Sequence, residues 1–180
     1  MVDAETSVKS ATDLAAVPCA AETAAWAVLA TVPDPEIPVL SVVDLGVIRH
    51  VRSMESGALQ VGLAPTYSGC PATAVIRGSI IAALRAAGFD HVNVVEILSP
   101  AWTSDWLSVE GRHKLEQYGI APPAEAVASP HEIWRHAPQL RCPRCASSDT
   151  GELSRFGSTP CKALYRCNAC LEPFEYFKCI

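Results

Sequence analysis

Two Cys-x-x-Cys pairs constrain this chain more than any other feature: Cys142-Pro-Arg-Cys145 and Cys167-Asn-Ala-Cys170, with 21 residues, Ala146 to Arg166, between them. Each pair sits naturally on a tight turn, and two such turns bring four thiolates around one tetrahedral ion. Pairs spaced by a β-capable stretch predict a structural zinc ribbon. Two unrelated cysteine pairs would leave a segment of about forty residues without enough core to fold, since chains that small need a metal or disulfides. Four thiolates leave zinc no open position, so the expected site is a staple and not a catalyst. Loss of a ligand, as in Cys142→Ser, is then expected to unfold the C-terminal region with little effect on what precedes it.

Eight cysteines and no N-terminal basic-then-apolar pattern point to a reducing compartment, the cytosol, and to metal or thiol chemistry. No apolar run reaches the ~18 residues that span a bilayer, so no membrane is expected. Net charge is −5, and from Arg141 onward there are six Lys/Arg against four Asp/Glu. So small a basic surplus lacks the dense cationic face that displaces counterions from nucleic acid, and disfavours a nucleic-acid partner.

The residues up to about Val17 read as a polar, Ala-rich arm. A helix is expected from Ala20 to Thr31 with Trp26, Leu29 and Ala30 buried, ended by the three prolines of Pro33-Asp-Pro-Glu-Ile-Pro38. Runs from Gly46 to Arg52 and from Ala58 to Ala64 flank a Glu-Ser-Gly turn and predict a hairpin. A second helix starts at Cys70-Pro71, carries Ile76, Ile80, Ala83, Leu84 and Ala87 at helical spacing, and stops at Gly88. His91 to Leu98 predicts a third strand, so the helix crosses over between strands of an α+β sandwich. Trp102, Trp106, Leu107, Leu115 and Tyr118 mark a helical extension, and the proline-rich stretch after it reads as a linker. The expected organisation is an α+β domain over 18–120, a linker over 121–140 and a ribbon over 141–180.

Cys70 differs from the ribbon cysteines. Pro71 suits a first helical position and puts Cys70 at or next to the N-cap, where free amides and the helix dipole favour a thiolate. Thr66, Tyr67, Ser68 and Gly69 lead into it as a loop of hydroxyls with a permissive glycine. The other reading is a small cysteine filling a helix end. Asp44, in Asp44-Leu45-Gly46, is equally consistent with a turn cap and with a site role. Cys19 has no partner pattern.

Asp34-Pro-Glu-Ile-Pro38, Asp44-Leu-Gly46 and Thr66-x-x-x-Cys70-Pro71 together resemble the iron–sulfur assembly domain of SufT-like proteins, over roughly Ala20 to Leu98. Pro65-Thr-Tyr-Ser-Gly-Cys-Pro-Ala72, Pro100-Ala-Trp-Thr-Ser-Asp-Trp106 and Phe156-Gly-Ser-Thr-Pro-Cys-Lys-Ala-Leu-Tyr-Arg-Cys167 extend the likeness to nearly the whole chain. With them it resembles the phenylacetate-degradation accessory proteins of bacterial phenylacetyl-CoA epoxygenase systems. The resemblance implies a small α/β sandwich of the iron–sulfur assembly type followed by a zinc ribbon. It also implies a role in phenylacetate catabolism, beside a ring-epoxidising oxygenase and its iron–sulfur reductase, in maturing their metal centres. Asp44, Thr66 and Cys70 are the residues it carries over, for handling a transient iron or iron–sulfur cluster.

Cys161 and Cys179 lie outside the two pairs. Pairing Lys162–Arg166 with Phe174–Lys178 symmetrically about the Asn168–Glu172 turn sets Cys161 opposite Cys179, with Cβ atoms ~5 Å apart. They are then a pair of buried thiols, an adventitious disulfide, or a second thiol pair that meets Cys70 of the other domain, or of another subunit, to hold iron or a cluster transiently. Three functions stay open: a maturation factor, an electron-transfer or structural subunit with rubredoxin-like iron in the ribbon, and an interaction module. A conventional enzyme is not expected, because Gly-x-Gly-x-x-Gly, phosphate-loop, His-Glu-x-x-His and paired Glu-x-x-His motifs are missing. His113, His131 and His136 read as surface or linker residues, and a homo-oligomer stays open.

Overall fold

The computed structural model describes residues 19–67, 69–123 and 140–178. Helix α1 covers Ala20–Leu29 and turns Ala25 and Leu29 inward. It ends two residues earlier than the sequence pattern predicts, and Ala25 takes the buried place expected of Ala30. The proline segment after it is held by Asp34, whose Oδ1 accepts from the amides of Glu36 at 2.9 Å and Ile37 at 2.8 Å. That carboxylate gives these two amides an acceptor within a segment whose prolines at 33, 35 and 38 donate no N–H of their own.

Strands β1 (Ile48–Ser53) and β2 (Leu59–Leu63) form the expected hairpin, with Val51 opposite Val61. Helix α2 (Ala72–Ala86) buries Ala72, Ile76, Ile80 and Leu84, one residue every fourth position, and so lays a single stripe on the sheet. Strand β3 (Val92–Glu96) returns parallel to β2, placing Val94 beside Val61. The sheet order β1-β2-β3 with α2 as the crossover is the α+β layer that the hydrophobic periods anticipate.

A 3-10 turn over Ser104–Trp106 and helix α3 (Val109–Tyr118) then close one end of the core. Gly46 makes this closure possible. Its φ is +70°, and a Cβ there would sit 2.1 Å from the Trp106 carbonyl oxygen. Trp102 is buried beside it and donates its indole N–H to the Leu45 carbonyl at 3.0 Å.

The second sheet has the order β4-β7-β6-β5, where β4 is Ile120–Ala121, β5 Thr150–Ser154, β6 Lys162–Cys167 and β7 Pro173–Phe177. Its edge strand β4 directly follows α3 and runs parallel to β7. One face buries Ala163, Tyr165, Phe174 and Tyr176 in a small core, with the Tyr165 and Tyr176 rings edge-on at 5.8 Å. Phe177 points to the other face and joins the main core, 1% exposed, with its ring edge-on to Trp102 at 6.0 Å. Cys161 joins that core as well.

The pairing of β6 with β7 falls one residue short of the symmetric expectation: Lys162 faces Phe177 and Ala163 faces Tyr176. The turn is closed by the Cys167 amide on the Glu172 carbonyl at 3.0 Å, so its centre lies between Ala169 and Cys170. Cys161 therefore faces Lys178, whose amide its carbonyl accepts at 3.0 Å. Cys179 lies outside the described residues, as do His131 and His136.

Candidate metal sites

The four ribbon cysteines converge. Their sulfurs all lie within 4.8 Å of one another, with Cys142 to Cys170 at 3.8 Å and Cys145 to Cys167 at 3.5 Å. A tetrahedral ion with bonds of about 2.3 Å to sulfur separates its ligands by about 3.8 Å, so the cage fits zinc. The two halves share one local geometry. The Cys142 amide reaches the Ser147 carbonyl at 2.9 Å, as the Cys167 amide reaches Glu172 at 3.0 Å. Amides of Arg144 and Cys170 donate to the sulfurs of Cys142 and Cys167 at 3.4 and 3.5 Å. In each half the residue after the second cysteine is left-handed, Ala146 at φ 60° and Leu171 at φ 65°.

Left-handed backbone costs a non-glycine residue about 1–2 kcal/mol, so both turns are held against a local preference. Leu171 is 67% exposed and contributes little burial that its loss would cost. Leu171→Gly is therefore expected to stabilise the metal-loaded protein by about 0.5–1 kcal/mol, after glycine's greater unfolded-state entropy is deducted. Urea unfolding at fixed zinc concentration measures it, and a lower midpoint would contradict the strain.

A second group forms where the ribbon meets the first sheet. Cys70 lies one residue before Pro71, which occupies the N-cap of α2, and its amide bonds to the Tyr67 carbonyl at 3.2 Å. Cys70 and Thr66 line a cavity of about 20 Å³ together with Asp34, Glu36, Cys161 and Phe177. Cys161 is 5% exposed, accepts or donates with Thr159 Oγ1 at 3.0 Å, and sits 3.8 Å from Glu36 Oε2. Burial raises the pKa of Asp34 against the two amides that it accepts from. Burial and then the Asp34 charge raise that of Glu36, and burial also pushes the Cys161 thiol up. Lys162 Nζ, 4% exposed as a residue, pairs with Glu175 at 2.8 Å. Among the described residues neither Asp34 nor Glu36 has an ion-pair partner.

Of the residues that sequence reasoning singled out, Thr66, Cys70 and Cys161 come together here. Asp44 stands apart from the cavity. It binds the Ser41 amide and hydroxyl at 2.9 and 2.8 Å, Lys114 at 2.8 Å, and through its carbonyl the amide of Ser108 at 2.8 Å. These bonds tie the loop before β1 to the start of α3. Burial raises the Asp44 pKa, but the Ser41 donors and the Lys114 ammonium outweigh it and leave the value below the usual 3.8. A depressed carboxyl contributes stability that is present above the unfolded pKa and lost as pH falls through the folded one. Asp44→Asn is thus expected to cost about 1–2 kcal/mol at neutral pH and to flatten the loss of stability below about pH 4. Acid unfolding curves of the two proteins check this. Asp34 and Glu36 went unassigned at the sequence level, although Asp34-Pro-Glu36 was the available signal.

The two parts correspond to known domain types. A family model described as an iron–sulfur cluster assembly protein matches residues 22–97, and one described as the PaaD zinc beta ribbon domain matches residues 127–178. The crystal structure of a domain of unknown function, DUF59, from Bacillus anthracis shares the fold with a TM-score of 0.50 at 24% identity, covering 53% of this chain and 92% of that one. A protein of Escherichia coli (strain K12), named as a subunit (the D component) of 1,2-phenylacetyl-CoA epoxidase, is 53% identical over 156 residues, 86% of this chain and 91% of its own. The chain belongs to this PaaD family of phenylacetyl-CoA epoxidase subunits. Among the described residues no helix is long and apolar enough to cross a membrane.

Proposed function

We propose that this protein serves phenylacetate catabolism as an accessory subunit of the phenylacetyl-CoA ring-epoxidising oxygenase, maturing metal centres in its partners by handing on iron or an iron–sulfur unit. The reading rests on its family and on one observation: a cavity outside the ribbon cluster gathers two thiols, the buried carboxylate of Asp34 and the half-buried one of Glu36. Such a donor set belongs to metal handling, and the domain that supplies Cys70 is of the iron–sulfur assembly type. In this proposal Cys142, Cys145, Cys167 and Cys170 hold zinc as a fixed staple, while Cys70, Thr66 and Cys161 handle the cargo. Cys179 is a further candidate for that handling. Asp44 ties the loop before β1 to the start of α3. In the same proposal the chain divides into an assembly domain over 18–120, a linker over 121–140 and the ribbon over 141–180, with Ile120, Ala121 and Leu140 at the boundaries lent to the ribbon's sheet and core, and its partners are the oxygenase and its iron–sulfur reductase. Residence in the cytoplasm follows from that partnership.

Producing the oxygenase and reductase with and without this chain tests the proposal. Without it, both partners are expected to accumulate with low iron content and little activity, and to regain activity on reconstitution with iron, plus sulfide for the reductase. Fully metallated partners that still require this chain at every turnover would overturn the reading in favour of an electron-transfer or structural role.

A further inference from the structure

We infer that Cys70, Cys161 and Glu36 form a composite site for a single thiophilic divalent metal ion, built across the junction between the assembly-type sheet and the ribbon. The inference deepens the proposed maturation role, on which it rests, by giving the cargo a place and a size.

The chemistry of the walls is the first argument. Cys70 comes from the start of α2, Glu36 from the proline segment after α1, and Cys161 from the residue before β6. No one of these elements holds a site alone: Cys161 Sγ lies 3.8 Å from Glu36 Oε2 and Cys70 lines the same cavity, and the three donors are not yet gathered as the ribbon sulfurs are, so the ion itself must draw them together. Two sulfur donors with a carboxylate suit iron(II) or its borderline neighbours, and hard ions such as magnesium prefer oxygen alone. Charge is the second argument. Lys162 pairs with Glu175 at 2.8 Å and its charge also acts on Asp34 and Glu36, so three carboxylates face one ammonium. Asp34 and Glu36 together then leave two negative charges without an ion-pair partner among the described residues, which one divalent cation would balance. Asp34 keeps its Oδ1 on the amides of Glu36 and Ile37 and so fixes the segment from which Glu36 projects.

Size is the third argument. About 20 Å³ is on the scale of one or two water molecules, which admits a single ion. A fourth observation concerns Tyr67. Its hydroxyl is buried and has no hydrogen-bond partner among the described residues. A buried phenol donor of this kind gains an acceptor once Cys70 becomes a metal-bound thiolate.

Binding replaces two S–H bonds by two S–metal bonds and releases both protons to solvent. Glu36 enters as carboxylate, and the metal keeps its oxidation state.

The test uses the full chain with its ribbon loaded with zinc, kept anaerobic and reduced, and titrated with cobalt(II) chloride. Cobalt should bind while the zinc content stays constant, with a thiolate-to-cobalt charge-transfer band and release of about two protons per ion bound. Cys70→Ser and Cys161→Ser should each weaken cobalt binding by at least about 100-fold, and Glu36→Gln by about 10- to 100-fold. Cys19→Ser, whose sulfur pairs with Ser53 far from the cavity, should bind as the wild type does. Unchanged zinc content and unfolding midpoint certify that each variant is folded, and Glu36→Gln tests the site from the other body if Cys161→Ser is not. No cobalt uptake by the wild type, or uptake unaffected by Cys161→Ser and Glu36→Gln, would overturn the site. These outcomes concern the isolated chain, so they are distinct from failure of the maturation role, which is read in the metal content of the partners.

Discussion

Chelating zinc from the reduced protein is expected to unfold residues 140–178 and, in the same transition, to change the environment of Trp102 and abolish cobalt binding at the cavity. Structural zinc in small domains contributes about 10–16 kcal/mol of folding free energy near neutral pH. The ribbon's own core of eight buried residues is too small to replace it. Had the ribbon been tethered only by its linker, the first body would have been indifferent to the loss. Phe177 and Cys161 change that, because both are buried in the main core and both wall the cavity. Near-ultraviolet circular dichroism of the tryptophans, followed alongside zinc release, measures the coupling. A Trp102 signal that survives full loss of zinc would show the two bodies to be independent.

Phe177→Ala should be the most damaging single change outside the metal ligands, costing about 3–5 kcal/mol. The side chain is 1% exposed and stands edge-on to Trp102 at 6.0 Å, so its removal leaves a cavity at the seam and an aromatic pair broken. The zinc cluster is not touched, and zinc content should stay unchanged. Urea unfolding read separately by zinc release and by tryptophan fluorescence is expected to give one coincident transition in the wild type and two separated ones in Phe177→Ala. A loss below about 1 kcal/mol would mean that the seam is incidental to stability. Phe177→Leu keeps most of the volume and should recover most of the loss.

The ribbon cluster was legible in the sequence because its chemistry is local: each knuckle is four residues long and its ligand types are unambiguous. The stripe of Ile76, Ile80 and Leu84 revealed α2 for the same reason, since a period of four positions on a helix needs no distant partner. The composite cavity was only half legible. Cys70 and Thr66 stand out beside Pro71, whereas Glu36 and Cys161 meet across 125 residues of sequence and neither belongs to a recurring pattern. The β6–β7 register was missed by one residue because a turn's centre depends on which amide closes it. In this turn Leu171 takes a left-handed φ that side-chain alternation does not report. A shift of that size reverses which face a side chain occupies, and it decides that Cys161 is paired with Lys178.

The wide separation of Glu36 and Cys161 also has a consequence in time. Cys142 and Cys170 are 28 residues apart, while Glu36 and Cys161 are 125 apart. Closing the longer loop costs about 1.3 kcal/mol more chain entropy, and contacts of such long range form late in folding. The four-thiolate cage is therefore expected to close at a lower entropic cost than the junction. Since Cys161 and Phe177 wall the junction from the ribbon side, a chain without its staple is expected to lack the second compartment as well, which makes possession of the permanent metal a condition for holding the passing one.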